Sequence, residues 1–394
     1  KLGFDADSMI AWLKERPGNS KICNDLIGIL EDGFEVNPIN KLNIHAKIES
    51  RVKDLMVEDE LGGMLDRDDV GHYRARLIVW QAKSITAIFA PIFKKAKERA
   101  KALLNERIVY TDGMTPQELA ARVRKVRHNR NIWFLEDDLK KQDRQTDRRL
   151  IEIEMNWYLK HLGVDETVIN LWKIAHEKWT AKNKLIRIKM DGMRQTGQAT
   201  TALGNFFINL LIKSYLLKDI SARVLLMVLL GDDNCLITDG KVSAKDNEYI
   251  CRTKYNMISE STHSTRQGGF LRMIIHKTRD GSLNVGPDIL RLRRRFEMPN
   301  GVSEATLENT VARIRSYCHM IGKIRDLKPV IEKYSIEDVP EPWYDIQDLM
   351  VATADKYKVE TAYVEQELAR LVETMKNPGF YEIHRELFSI EKFI

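Results

Sequence analysis

The chain has 394 residues, 43% of them apolar and 30% charged, with 63 Lys plus Arg against 57 Asp plus Glu for a formal charge of +6. That much apolar material excludes a disordered tail and suffices for two or three folding units, or for one large core. The positive excess is mild and suits a polyanionic partner only where it is clustered.

Lys1 to Ser8 is mixed in character and lacks the apolar run of a signal peptide. With no initiating Met, the expectation is a segment of a longer polypeptide. Pro17, Pro38, Pro91 and Pro116 precede a stretch without proline that lasts until Pro287, so residues 117–286 are predicted as one block of regular structure. Residues 85–104 place apolar side chains at helical spacing with a basic opposite face. Helices are predicted over 144–162 and 165–178, with Gly163 as the break. The most hydrophobic stretch, Phe206 to Leu230, is interrupted by Lys213, Lys218, Asp219 and Arg223, so it does not make a membrane span. Over 223–238, two apolar runs flank a short acidic turn, the pattern of a buried hairpin. After Gly268 and Gly269, the run FLRMIIHKT is strand-like, and Asp280–Gly281 marks a turn. Beyond 300 the pattern is mostly helical, including 353–376, with a Pro-rich link at 340–342. The sum is an α+β centre with helical flanks. Cys23, Cys235, Cys251 and Cys318 stand alone, with no C-x-x-C pair, so the expectation is a reduced, intracellular protein.

Three segments carry chemistry. Gly231-Asp232-Asp233 puts adjacent carboxylates at a hairpin tip between apolar strands. Like charges side by side repel unless a cation lies between them, and Mg²⁺ uses one or two carboxylates plus substrate phosphates. Taken alone, the tripeptide is better explained as an ordinary exposed Asp-Asp turn. Upstream, Glu136 to Gln145 follows an apolar run and holds Asp138 and Asp143, five apart. A strand ending near Asp138 and a helix beginning near Asp143 would let both face one pocket. Alternatively, the segment is a solvated loop with Asp143 as the N-cap of the next helix. Between these two lies Arg194 to Asn205, a Gly-containing loop leading into a helix, with Thr201 and Asn205 on one helical face. Those side chains suit a ribose or a backbone, or they cap a closely packed helix.

In this order, Asp-x4-Asp, R-x-T-G-x-x-x-T-x-x-x-N and GDD resemble motifs A, B and C of viral RNA-dependent RNA polymerases, most closely the alphavirus-like supergroup of positive-strand RNA viruses. The resemblance covers about residues 44 to 296. It implies a right-hand polymerase with fingers over 1–130, palm over 131–150, a helical insertion over 151–190, palm again over 191–277 and a mostly helical thumb over 278–394. It implies an RNA-dependent RNA polymerase using two Mg²⁺ ions, with Mn²⁺ as a possible substitute, held by Asp138, Asp232 and Asp233. Asp143, Thr201 and Asn205 match the group that senses the ribose 2′-hydroxyl. Gly197 matches the hinge of the template-contacting loop. Lys47, Arg74 and Arg76 look like motif F, which escorts the triphosphate. Gly269 to Arg272 looks like motif E, the primer grip, and the basic segment after it matches Arg291, Arg293 and Arg294, with Arg295, as RNA contacts. The implied partners are template and nascent RNA, rNTPs, and helicase and capping domains of a larger replicase. The implied setting is the host cytoplasm at membrane-associated replication complexes.

The chain departs from the pattern at Gln142, where motif A usually has an aromatic, and at Phe206, where motif B usually continues with Thr. Glu260 stands near the place of the motif D lysine, leaving Lys254 and Lys245 as candidate proton donors. Further basic clusters lie at Lys94 to Arg99 and Arg122 to Arg130, and a solvated helix face explains the first of them better. The nine histidines show no zinc spacing, and neither a P-loop nor G-x-S-x-G is present. A reverse transcriptase or a non-catalytic RNA-binding palm-fold scaffold are the alternatives. The ribose-sensing set argues against the first and the clustered carboxylates against the second.

Overall fold

The structure, a computed structural model, describes residues 1–16, 18–31, 39–46, 77–128, 131–296 and 306–378. Lys47, Arg74 and Arg76 lie outside the described residues.

Twelve strands are described: β1 (Lys41–Ala46), β2 (Leu77–Trp80), β3 (Ile108–Tyr110), β4 (Trp133–Leu139), β5 (Trp179–Lys182), β6 (Arg187–Met190), β7 (Val224–Leu230), β8 (Asp233–Thr238), β9 (Ser259–Ser264), β10 (Gln267–Phe270), β11 (Met273–Lys277) and β12 (Leu283–Pro287). They form a five-stranded sheet β3-β7-β8-β4-β9, a four-stranded sheet β2-β1-β5-β6 and a three-stranded sheet β10-β11-β12. The chain divides into two compact units. Of the described residues, the first takes in those of 1–46, 77–112 and 135–263, and the second 113–128, 131–134, 264–296 and 306–378.

In the first unit, β7 and β8 pair antiparallel from Leu230↔Asp233 to Val224↔Thr238, the hairpin expected over 223–238. Residues 225–229 and 234–238 are buried, and apolar side chains buried to that degree stabilise by ~1.5–3 kcal/mol each. Gly231 has φ +58, a left-handed conformation that costs a Gly little and lets the two-residue turn close. The neighbours of the hairpin set the site: β8 lies beside β4, and Asp138 near the end of β4 feels the charge of Asp232 in the Gly-Asp-Asp turn. A long helix, α1 (Lys83–Leu103), buries Ile85, Ile88, Phe89, Ile92, Phe93 and Ala96 and leaves its basic face outward, as the spacing predicts. Gly163, at φ +81, separates the preceding helical stretch from α2 (Glu166–His176) as expected, but residues 154–159 of that stretch are a π-helix. α3 (Thr201–Lys218) is apolar on nearly all sides and correspondingly buried.

The second unit has its own core, in which Ile314, Tyr317, Leu349, Val364 and Leu371 pack with Ile289 and Leu292. Two expectations are corrected here. FLRMIIHKT is not one strand: Phe270 ends β10, Leu271 and Arg272 turn with φ 49 and 61, and Met273 begins β11. No glycine at that turn announces the break. Nor is 353–376 one helix, because Lys358 adopts φ 56 and ends Ile346–Tyr357 before Thr361–Lys376 begins.

Candidate active site

β4 carries three successive acids, and its burial alternates with the pleat. Asp137 is buried and Asp138 is exposed, so the two point to opposite faces of the sheet. The Asp138 carboxylate is 73% exposed. Its pKa nevertheless lies above the ordinary carboxylate value. Partial desolvation at its base is the first cause, Lys140 opposes it, and the charges of Asp232, Glu260 and Asp137 add to it. Asp138 and Asp232 therefore sense each other across the β4–β8 neighbourhood. Lys140 lies 3.8 Å from Asp138 and 2.5 Å from Glu260, so the acid at the motif D place is matched by a lysine from motif A.

After β4 the chain enters a single helical turn, Gln142–Gln145, whose N-cap is Lys141 rather than Asp143. The following helix, Arg148–Ile153, is capped by Asp147, which accepts from Leu150 N. Asp143 is thereby released from capping and meets Asn205, whose Nδ2 donates to Asp143 Oδ1 at 2.8 Å. Asn205 is buried, and its Oδ1 has no hydrogen-bond partner among the described residues. Thr201, one turn earlier on α3, donates to the carbonyl of Gln195 at 2.8 Å.

The loop before α3 is anchored at several points. Gly197 N donates to Val79 O at 2.7 Å, and a Cβ on Gly197 would stand 2.8 Å from Trp80 Cβ. Close approach to β2 is what this glycine provides. Arg194 and Glu154 form an ion pair with both side chains at or below 2% exposure. Gln195 Nε2 donates to Ala175 O at 2.8 Å, and His176 Nε2 meets Gln198 Oε1 at 2.7 Å. Burial holds His176 below its ordinary pKa, against the raising effect of its bond to Trp172 O.

Residues 70–260 match the family model described as RNA dependent RNA polymerase. The segment resembles the viral RNA-dependent RNA polymerases. Among curated relatives, the RNA-directed RNA polymerase 2a of Tobacco streak virus is 26% identical over 189 residues, 48% of this chain and 23% of that protein. The replicase large subunit of Tobamovirus Ob is 24% identical over 213 residues, 53% of this chain and 13% of the relative. The chain thus spans about a quarter or less of the length of these relatives. The RNA-dependent RNA polymerase of a human picobirnavirus, as an insertion-loop deletion mutant, superposes with TM-score 0.53 at 13% identity, covering 77% of this chain and 61% of that one. The polymerase fold and the resemblance to alphavirus-like positive-strand RNA viruses stand on these matches.

Within the chain, one unit contains Asp138, Asp143, Gly197, Thr201, Asn205, Asp232 and Asp233. Asp233 begins β8 opposite Leu230 and is half-buried. Among the described residues, no three His, Cys, Asp or Glu side chains are gathered as a ready ligand set. The donors fit a hard cation that takes one or two carboxylates and completes its shell from water and phosphate, since Asp138 and Asp232 repel each other and open to solvent. Of the two candidate proton donors, Lys254 lies 5.4 Å from the Tyr215 ring centroid and Lys245 is exposed. In the second unit, Arg291 is exposed, Arg294 is half-buried, and Arg293 is only 17% exposed and pairs with Glu367 at 3.1 Å.

Sequence reasoning missed Asp137, Asn209 and Lys213. Lys213 Nζ lies 2.7 Å from Asp137 Oδ2 and 3.1 Å from Asn247 Oδ1, fully buried. The available signal was Thr201, Asn205, Asn209 and Lys213, polar at every fourth position of an otherwise apolar helix.

Proposed function

We propose that the chain is the polymerase core of a viral replicase, copying an RNA template by nucleotidyl transfer from ribonucleoside triphosphates. The observation that carries this reading is the juxtaposition, in one family-matched segment, of Asp138 and Asp232 with the Asp143–Asn205 pair. Asp138 and Asp232, with Asp233 beside them, would hold two Mg²⁺ ions. When bound, these activate the attacking 3′-hydroxyl and neutralise charge on the triphosphate. Asn205 supports ribose selection through its buried, unpartnered Oδ1, an acceptor suited to a 2′-hydroxyl that reaches it, while Asp143 fixes the amide orientation by accepting from Nδ2. Thr201 stands one turn away on the same face, and its oxygen retains acceptor capacity. Lys47, Arg74 and Arg76 are assigned to the triphosphate. Gly197 is assigned to the template, and Arg291 and Arg294 to the RNA backbone, whereas Arg293 is paired with Glu367. The greater length of the relatives supports further replicase domains as partners. Among the described residues no helix is long and apolar enough to cross a membrane, so placement at a membrane-associated complex in the host cytoplasm is assigned to those partners.

The test is nucleotide incorporation on a primed RNA template with Mg²⁺, comparing the chain with Asp232→Ala and offering rNTPs and dNTPs. RNA synthesis that the substitution abolishes is expected. Preferential use of dNTPs would instead indicate a reverse transcriptase. Salt-sensitive RNA binding without synthesis would indicate a scaffold.

A further inference from the structure

Asn209 is wholly buried on α3, one turn beyond Asn205. Its Nδ2 lies 2.9 Å from Gly231 O, 3.2 Å from Asn205 O and 3.3 Å from Gln142 Oε1. Its Oδ1 accepts from Asn234 Nδ2 at 3.2 Å. Gln142, itself buried, donates from Nε2 to Asn205 O at 3.3 Å. One amide therefore ties the turn after β4, the helix that presents Asn205, the Gly-Asp-Asp turn and the first residue beyond it. Gln142, where this chain departs from the motif A pattern it resembles, is part of the network.

The geometry at Gly231 gives the network a purpose. The Gly231–Asp232 peptide is the middle of a two-residue turn, and Gly231 at φ +58 has the conformational latitude of a residue without Cβ. A Cβ placed there would meet nothing within 4 Å, so side-chain packing does not hold the peptide plane on that side. The bond from Asn209 to its carbonyl does. Rotation of that plane would swing the adjoining Asp232 away from Asp138.

We propose that Asn209 is a positioning residue that locks the Gly231–Asp232 peptide, so that one helix sets both the ribose-facing Asn205 and the aim of the cation-binding Asp232. This rests on the proposed polymerase reading and adds to it a coupling: nucleotide selection and cation binding share the path Asn205, Gln142, Asn209, Gly231. The ligand concerned is a ribonucleoside triphosphate with its divalent cation.

The test compares the wild-type chain with Asn209→Leu, near in size but without polar atoms, and Asn209→Ser, which is smaller and does not reach the Gly231 carbonyl. Near-UV circular dichroism establishes folding, and Mn²⁺ titration by electron paramagnetic resonance measures cation binding without turnover. The expected result is a folded variant with Mn²⁺ affinity weakened about tenfold or more, kcat reduced more than KM for rNTP is raised, and a smaller rNTP-to-dNTP preference. Should Asn209→Leu fail to fold, Asn209→Ser decides. Wild-type Mn²⁺ affinity in a folded variant would overturn the proposal and reduce Asn209 to packing. Mn²⁺ binding that Asp232→Ala leaves intact would overturn it together with the assignment of Asp232. Loss of RNA synthesis alone, with Asp232-dependent Mn²⁺ binding retained in the wild type, would overturn the polymerase activity and leave this positioning to stand or fall on the titration.

Discussion

At the scale of single residues, chemistry follows from which partner each polar atom is given. Asp143 and Asn205 share one bond of 2.8 Å, which aims the amide and leaves the buried Asn205 Oδ1 without a partner among the described residues. A buried acceptor that loses its intended donor is costly, and this is how a hydroxyl is distinguished from its absence. Asn205→Ala is therefore expected to lower the rNTP-to-dNTP ratio of kcat/KM by about tenfold or more, measured by single-nucleotide incorporation. An unchanged ratio would remove Asn205 from ribose recognition. His176 makes a different kind of statement. Its pKa is depressed below about 6.5, chiefly by burial, so the unfolded chain takes up a proton there as pH falls while the folded chain resists. The stability it contributes is fully present above that value and is lost as pH falls below it. His276, also depressed by burial, acts in the same direction. Melting temperatures from about pH 8 to about pH 5 should fall more steeply for the wild type than for His176→Gln, and parallel profiles would show that His176 does not titrate on unfolding.

At the scale of elements, α3 and β4 illustrate how charge is handled inside a core. Lys213 and Asp137 are both nearly inaccessible and are held at 2.7 Å, with Asn247 donating to the same carboxylate oxygen at 3.0 Å. Removing one partner of such a pair leaves an uncompensated buried charge, so Lys213→Met is expected to cost about 3–5 kcal/mol in denaturant unfolding. The double change Asp137→Leu with Lys213→Met should recover most of that loss, because a well-packed apolar pair is often as stable as a buried ion pair. Additive losses would contradict the pairing. The same pair keeps Asp137 on the face opposite Asp138, which matters in a strand with three consecutive acids, where a slip of one residue would exchange them. Gly197 is constrained by proximity. Gly197→Ala places a methyl 2.8 Å from Trp80 Cβ and 2.9 Å from Val79 O, and the overpacking should lower stability by about 1–3 kcal/mol.

At the scale of the whole molecule, two cores carry different kinds of charge. The first unit holds the carboxylates and the Asp143–Asn205 pair, and the second holds the arginine-rich helix Ile289–Phe296. Charge on that helix is of two sorts. Arg291 is exposed, whereas Arg293 is committed to Glu367, which also receives Arg370 at 2.8 Å. Arg291→Ala is expected to weaken RNA binding uniformly across sequences and to reduce the salt slope by about one, measured by fluorescence anisotropy over a salt series. Arg293→Ala should register first as lost stability. Equal effects of both on the salt slope, with stability unchanged, would reverse these roles.

The pattern of residues along the chain was enough to determine the α+β class, the hairpin over 223–238, the helix over 85–104, the break at Gly163 and the order of the three motifs. These are local: period, turn chemistry and short spacing are all contained in a few consecutive residues. The turn at Leu271–Arg272 and the break at Lys358 escaped because ordinary side chains there adopt left-handed backbone without a glycine to mark it. The rest needed tertiary structure. That β8 lies beside β4, that Asp143 meets Asn205 and not a helix end, and that Asn209 reaches the carbonyl of Gly231 are pairings between residues far apart in sequence. A buried polar group must find a partner, but which partner it finds is settled by the elements that happen to pack against it.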